Sequence, residues 1–162
     1  MAKATSYAPE GIRTLTPTLT LKNAREAVEW YKKAFDAHVR VMAEGPTPGS
    51  TIHGEIRIGD SAIFVVDEMP QSPSKSPASL GGVNGGMTMY VPDCDAVYNR
   101  AVAAGAQVVM PMADMFWGDR FSSIRDPFGC LWSIATHKED VSPDEMEHRT
   151  REFFASMAKP KN

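Results

Sequence analysis

Side chains two residues apart on a β-strand share a face, and the run Thr51 to Ile58 places His53 and Glu55 in that relation. An imidazole beside a carboxylate is the makings of a general base, the carboxylate setting the charge and orientation of the ring. The plain structural alternative is a solvated or salt-bridged pair on a half-exposed strand. A metal site relocated to His53 and Glu55 lacks an obvious third and fourth ligand. A second group sits between residues 110 and 120: Met110, Met112, Phe116, Trp117 and Arg120. Aromatic and guanidinium groups on a loop anchor ligands, and these residues are placed to close the mouth of a binding site. Their structural alternatives are a Trp117 that caps the core and an Arg120 paired with Asp114 or Asp119.

The remaining reactive residue types carry less. Gly81-Gly82-Val83-Asn84-Gly85-Gly86 lacks the Lys-Ser/Thr ending of a phosphate loop and reads as linker. Cys94 and Cys130 are the only cysteines and have no metal-knuckle spacing, so two free buried thiols in a reducing compartment are expected. His38, His137 and His148 fall at element ends or in the tail, where surface placement is expected.

Composition bounds the alternatives. The 162 residues are one domain's worth of chain, or two small halves sharing a core. With 43% hydrophobic and 23% charged residues the composition is that of a globular protein. A net charge of −3 without a basic stripe excludes a protein built to neutralise nucleic-acid phosphates. No apolar run reaches membrane-spanning length and Met1 to Glu10 has no signal-peptide core, which gives a cytoplasmic expectation.

The elements that must position these residues are written twice. Ile56-Arg57-Ile58-Gly59-Asp60 leads into the strand Ser61 to Val66, and Ile124-Arg125-Asp126-Pro127-Phe128-Gly129 leads into Leu131 to Ile134. In the second copy Asp, Pro and Gly occupy the first, second and fourth places of a type I turn. Each hairpin follows strand, helix and strand. The first copy opens with alternating threonines and leucines from Thr14 to Leu21, then Asn23 caps an amphipathic helix from Ala24 to Phe35. The second opens with Met87 to Val91, and a helix from Pro92-Asp93 ends at Gly105. A loop is predicted from Pro111 to Trp117. The copies span residues 12–68 and 87–137, joined by a Pro- and Gly-rich linker over 69–86 that is partly mobile. Ser142-Pro143-Asp144-Glu145 starts a terminal helix in the 138–162 segment, whose Met146, Phe153, Phe154 and Met157 must bury against this chain or a partner.

Two βαβββ copies, the helix pattern Ala27, Trp30, Tyr31 and Phe35, and the Asp126-Pro127-Phe128-Gly129 hairpin resemble the vicinal oxygen chelate superfamily. That is the group of glyoxalase I, bleomycin-resistance proteins, fosfomycin-resistance enzymes and extradiol dioxygenases. The likeness covers residues 12–137 and is greatest with small glyoxalase-like proteins of unassigned role. It implies an α+β fold in which two βαβββ modules form a U-shaped mixed sheet around a cleft, with the C-terminal helix outside it, and commonly a homodimer. Metal-dependent members carry His or Glu on the first and last strands of each copy. The positions carried over are Thr16, Val65, Gly86 and Ser133, none a competent ligand for a divalent metal, so no metal and no cofactor are expected. If these four positions face the cleft, alternation turns Thr14, Thr16, Thr18, Thr20, Thr88 and Tyr90 to its walls and Ile63, Val65, Leu131 and Ser133 to its floor. The third strand would hold Ile52, Ile56 and Ile58 under the helices and turn His53, Glu55 and Arg57 towards the cleft. The expected ligand is a small hydrophobic or aromatic molecule. The expected enzymatic alternative is a lyase or isomerase that uses His53 or a relocated metal.

Overall fold

The computed structural model describes residues 4–157. The elements run β1 (Thr18–Leu21), α1 (Ala24–Phe35), β2 (His38–Glu44), β3 (Thr51–Ile58), β4 (Ser61–Asp67), α2 (Pro77–Leu80), β5 (Gly86–Tyr90), α3 (Cys94–Ala103), β6 (Gln107–Asp114), β7 (Asp119–Arg125), β8 (Leu131–His137) and α4 (Pro143–Met157). They build an α+β fold of two βαβββ modules and a C-terminal helix. Each module holds one mixed sheet of four strands, ordered β1-β4-β3-β2 and β5-β8-β7-β6. The first and last strands of a module pair in parallel and the others antiparallel.

The helices form where capping and pattern agree. Asn23 accepts from the Glu26 amide and starts α1, and Asp36 ends it in the left-handed region at φ 55°. Asp93 does the same for α3, through the Ala96 amide. The buried side of α1 (Ala27, Val28, Trp30, Tyr31, Ala34 and Phe35) lies against α3 and against both sheets. Trp132 of β8 packs on Phe35 and Tyr31, with ring centroids 4.7 and 5.4 Å apart, and the Trp30 indole donates to the Ala104 carbonyl at 2.8 Å. The two modules therefore share one core, whose aromatic contacts add to the area they bury.

Two local expectations are corrected. β1 begins at Thr18, since Thr16 turns back to donate to the Arg13 carbonyl at 3.0 Å. β6 runs through Pro111 to Asp114 where a loop was predicted. Proline fits there because β6 is an edge strand with register breaks around Met110, so its missing N–H costs no ladder bond. The 69–86 linker is held at one point, where Glu68 accepts from the Ser76 amide at 3.0 Å and hydroxyl at 2.7 Å, and Ser76 then caps α2. Helix α4 buries no residue, leaving Phe154 60% and Met157 67% exposed. Among the described residues no helix is long and apolar enough to cross a membrane.

Candidate functional site between the modules

Strand register decides what each sheet shows on the face away from the helices. In the first sheet Thr18 pairs with Phe64 and Phe64 with Glu55, so these three form one row, and Thr20 and Val66 lie in another. Ile63 (6% exposed) and Val65 (0%) point the other way, into the core. This corrects the expected floor. Five consecutive apolar residues in β4 give no alternation to read, and the carried-over position fell one residue off the open face. Ile52 is also corrected: it is exposed, while Ile56 is buried.

His53 and Glu55 do share the open face with Phe64. His53 Nε2 lies 3.2 Å from Glu55 Oε1, the ring sits edge-on to Phe64 at 4.9 Å, and an Arg40 nitrogen stands 4.0 Å from Glu55 Oε2. The imidazole is thus oriented on both sides while its own side chain is 40% exposed.

On the second sheet Thr88, Ser133 and Ser123 share one row, and Tyr90, Ala135 and Phe121 the next. Asp119 and His137 close the series as the outermost pair of the β7–β8 hairpin. Three donors meet on the buried Asp119 carboxylate: the Tyr90 hydroxyl at 2.8 Å, the Trp117 indole at 3.0 Å and His137 Nδ1 at 2.8 Å. Burial works to raise the pKa of Asp119, but the His137, Tyr90 and Trp117 donors outweigh it and hold the carboxyl below its ordinary range. The same bond pushes the Tyr90 phenol up. Asp140 and Asp119, one on each ring nitrogen, raise His137 above the usual imidazole value.

The expected lid residues divide. Phe116 and Trp117 stay together, 5.1 Å between centroids, with Trp117 against Phe121 and Phe116 against Phe153 of α4. Arg120 lies on the helix side of β7, clamped by both carboxylate oxygens of Asp95 at 2.8 and 2.9 Å and by Asp114 at 3.4 Å. Met112 packs against the core, its sulfur 3.7 Å from the Cys94 thiol.

Between the two sheets, β1 and β5 are both edge strands, so each leaves one side of its backbone free of sheet bonding. One cavity opens between these edges, and a second opens between β5 and the segment that leads into β1. The first, of about 670 Å³, is lined by Thr18, Thr20, Gly86 and Leu131 and is flanked by the linker at Ser74 and Lys75. The other, of about 620 Å³, is lined by Thr16, Ile63, Met87, Thr88, Tyr90 and Trp132. Either has the size of a small-molecule site, with mixed apolar walls and hydroxyls.

The donors around these cavities do not suit a divalent metal. The open-face positions of β1, β4, β5 and β8 carry hydroxyls, apolar groups or glycine as far as His137, whose nitrogens already face Asp119 and Asp140. Among the described residues no three His, Cys, Asp or Glu side chains converge as a ligand set. Sequence reasoning placed His137 on the surface and missed its partner. The signal was available: counting six residues back from Arg125 and six on from Leu131 across the hairpin pairs Asp119 with His137.

Comparison with known proteins agrees with the architecture. The profile of the Glyoxalase/Bleomycin resistance protein/Dioxygenase superfamily matches residues 13–134. An uncharacterized protein of Mycobacterium bovis is 38% identical over 136 residues, covering 82% of this chain and 89% of its own. An uncharacterized protein of Mycobacterium tuberculosis matches at the same identity over 82% of this chain and 79% of its own. Among solved structures, TioX from a Micromonospora species aligns with a TM-score of 0.60 at 24% identity, over 80% of this chain and 100% of that one. The fosfomycin resistance protein FosX from Listeria monocytogenes aligns with a TM-score of 0.57 at 13% identity, over 83% and 97%. Those two likenesses are of fold.

Proposed function

The chain belongs to the glyoxalase/bleomycin resistance/dioxygenase superfamily, and from that premise we propose that it is a metal-independent binding protein for a small hydrophobic or aromatic molecule held between β1 and β5. One observation carries the reading: the cavities beside these strands are walled mainly by threonines, methionines, Tyr90 and Trp132, with no imidazole and with Asp60 as the one carboxylate. Such a lining has no donor set to polarise a substrate through a bound ion, yet it offers a large apolar contact with a few orienting hydroxyls. Thr16, Thr18, Thr88, Tyr90 and Ser133 are the hydroxyls of this site, and Phe116 with Trp117 flanks its second sheet. The β1 and β5 edge amides add donors and acceptors. Titration with aromatic compounds, followed by Trp132 fluorescence, tests the reading: saturable quenching is expected, and its loss in Thr88→Arg places the ligand against β5. A homodimer is expected of the chain and is read by sedimentation.

A second reading rests on the His53–Glu55 pair. With Nε2 held 3.2 Å from a carboxylate, His53 is placed to act as a general base in a lyase or isomerase of the glyoxalase class. Activity lost in His53→Gln with unchanged ligand quenching would favour it.

A further inference from the structure

His137 is held at both nitrogens, but its two partners differ. Asp119 is 4% exposed and fixed by three donors, whereas the Asp140 side chain is wholly exposed and makes no other contact among the described residues. With carboxylates on Nδ1 at 2.8 Å and Nε2 at 3.0 Å, a ring protonated at both nitrogens donates in both directions. The Nδ1 bond orients it, and the Nε2 bond goes to an acceptor that water or a ligand can replace. Tyr90 is beside it. Its ring is 63% exposed while its hydroxyl is pinned to the same Asp119, so it offers a fixed aromatic face that also lines the second cavity.

We propose that His137 is the anion anchor of the ligand site: the carboxylate of an aromatic acid takes the place of Asp140 on Nε2, with its ring against Tyr90. This rests on the small-molecule reading above and names the ligand's class. The other charged groups near the imidazole are accounted for. Tyr90 and Asp119 face it from β5 and β7, Lys138 and Glu139 follow it in the connector, and Arg149 of α4 is spent on Glu139 and Glu145. Arg149 therefore offers no competing anchor. Because the imidazolium is the binding form, affinity for the acid is full below the His137 pKa and falls as pH rises through it.

Calorimetric titration of the full chain with benzoate and with benzamide tests the anchor, while the His137 ring resonances are followed by NMR. Benzoate is expected to bind about tenfold tighter than benzamide near pH 6, a ratio that declines towards one as the imidazole loses its proton. His137→Gln should abolish the ratio and Asp140→Ala should increase it, with Asp140→Ala leaving the melting temperature unchanged and His137→Gln lowering it by no more than the loss of one donor to Asp119. Equal affinity for acid and amide, or a pH-dependent ratio that survives in His137→Gln, would overturn the anchor and leave the small-molecule reading standing. Binding of neither compound would overturn both.

Discussion

The Tyr31 hydroxyl of the first module donates at 2.9 Å to the Asp126 carboxylate in the hairpin of the second. The Trp132 indole meets the same oxygen at 2.9 Å, and the Phe128 and Cys130 amides meet the other, also at 2.9 Å. Asp126 is 3% exposed. Its burial pushes the carboxyl above the ordinary range despite four donors, and burial with the Asp126 charge also raises Tyr31. Tyr31→Phe leaves Asp126 one donor short and is expected to cost about 1–3 kcal/mol in denaturant unfolding. Asp126→Ala strands four donors and should cost more. Equal stability of the parent and Tyr31→Phe would show that this hydrogen bond does not help to join the modules.

The linker latch gives a pH dependence of known sign. Glu68 is pulled down to about 2, first by the Ser76 hydroxyl, then by the Ser76 amide. A carboxylate held low in the folded state stabilises it above the usual pKa and ceases to do so as pH falls through the folded value. The melting-temperature gap between the parent and Ser76→Ala should be constant from about pH 5 to 7 and shrink progressively below about pH 4.5. A gap independent of pH would assign the effect of Ser76 to its capping of α2 rather than to Glu68.

Neither cysteine should react in the native protein. Burial, reinforced by the Asp126 charge, pushes the Cys130 thiol up to about 12, and Cys94, the first residue of α3, is 2% exposed. An aromatic disulfide reagent near pH 8 is expected to modify neither thiol until denaturant is added, since the thiolate is the reactive form. Rapid native modification of Cys130 would mean that the hairpin opens.

Ser122 is wholly buried, and its hydroxyl has no hydrogen-bond partner among the described residues. Removing an unpaired buried hydroxyl relieves a desolvation penalty, so Ser122→Ala should be neutral or stabilising by up to about 1 kcal/mol in chemical denaturation. A clear loss of stability would reveal a bound water there.

Much of the architecture was legible because local signals agreed. The Asn23 cap and the α1 stripe, the Gly105 stop, and the Asp126 turn each point to one structure. What escaped notice was set by tertiary register. The apolar run of β4 concealed that Phe64, not Val65, shares the open face with Thr18. The Arg120–Asp95 clamp joins a strand to a helix 25 residues away, and the Tyr31–Asp126 bond spans 95, distances at which no periodicity reports. His53 with Glu55 was readable because spacing of two on a strand is itself a spatial statement.

Metal independence of ligand binding is the central claim, and one titration addresses it. The chain is stripped with a chelator, freed of it by gel filtration, and titrated with an aromatic ligand while Trp132 fluorescence is read. Unchanged affinity relative to the untreated protein is the predicted result. Binding that vanishes on chelation and returns with a stoichiometric divalent ion would contradict it.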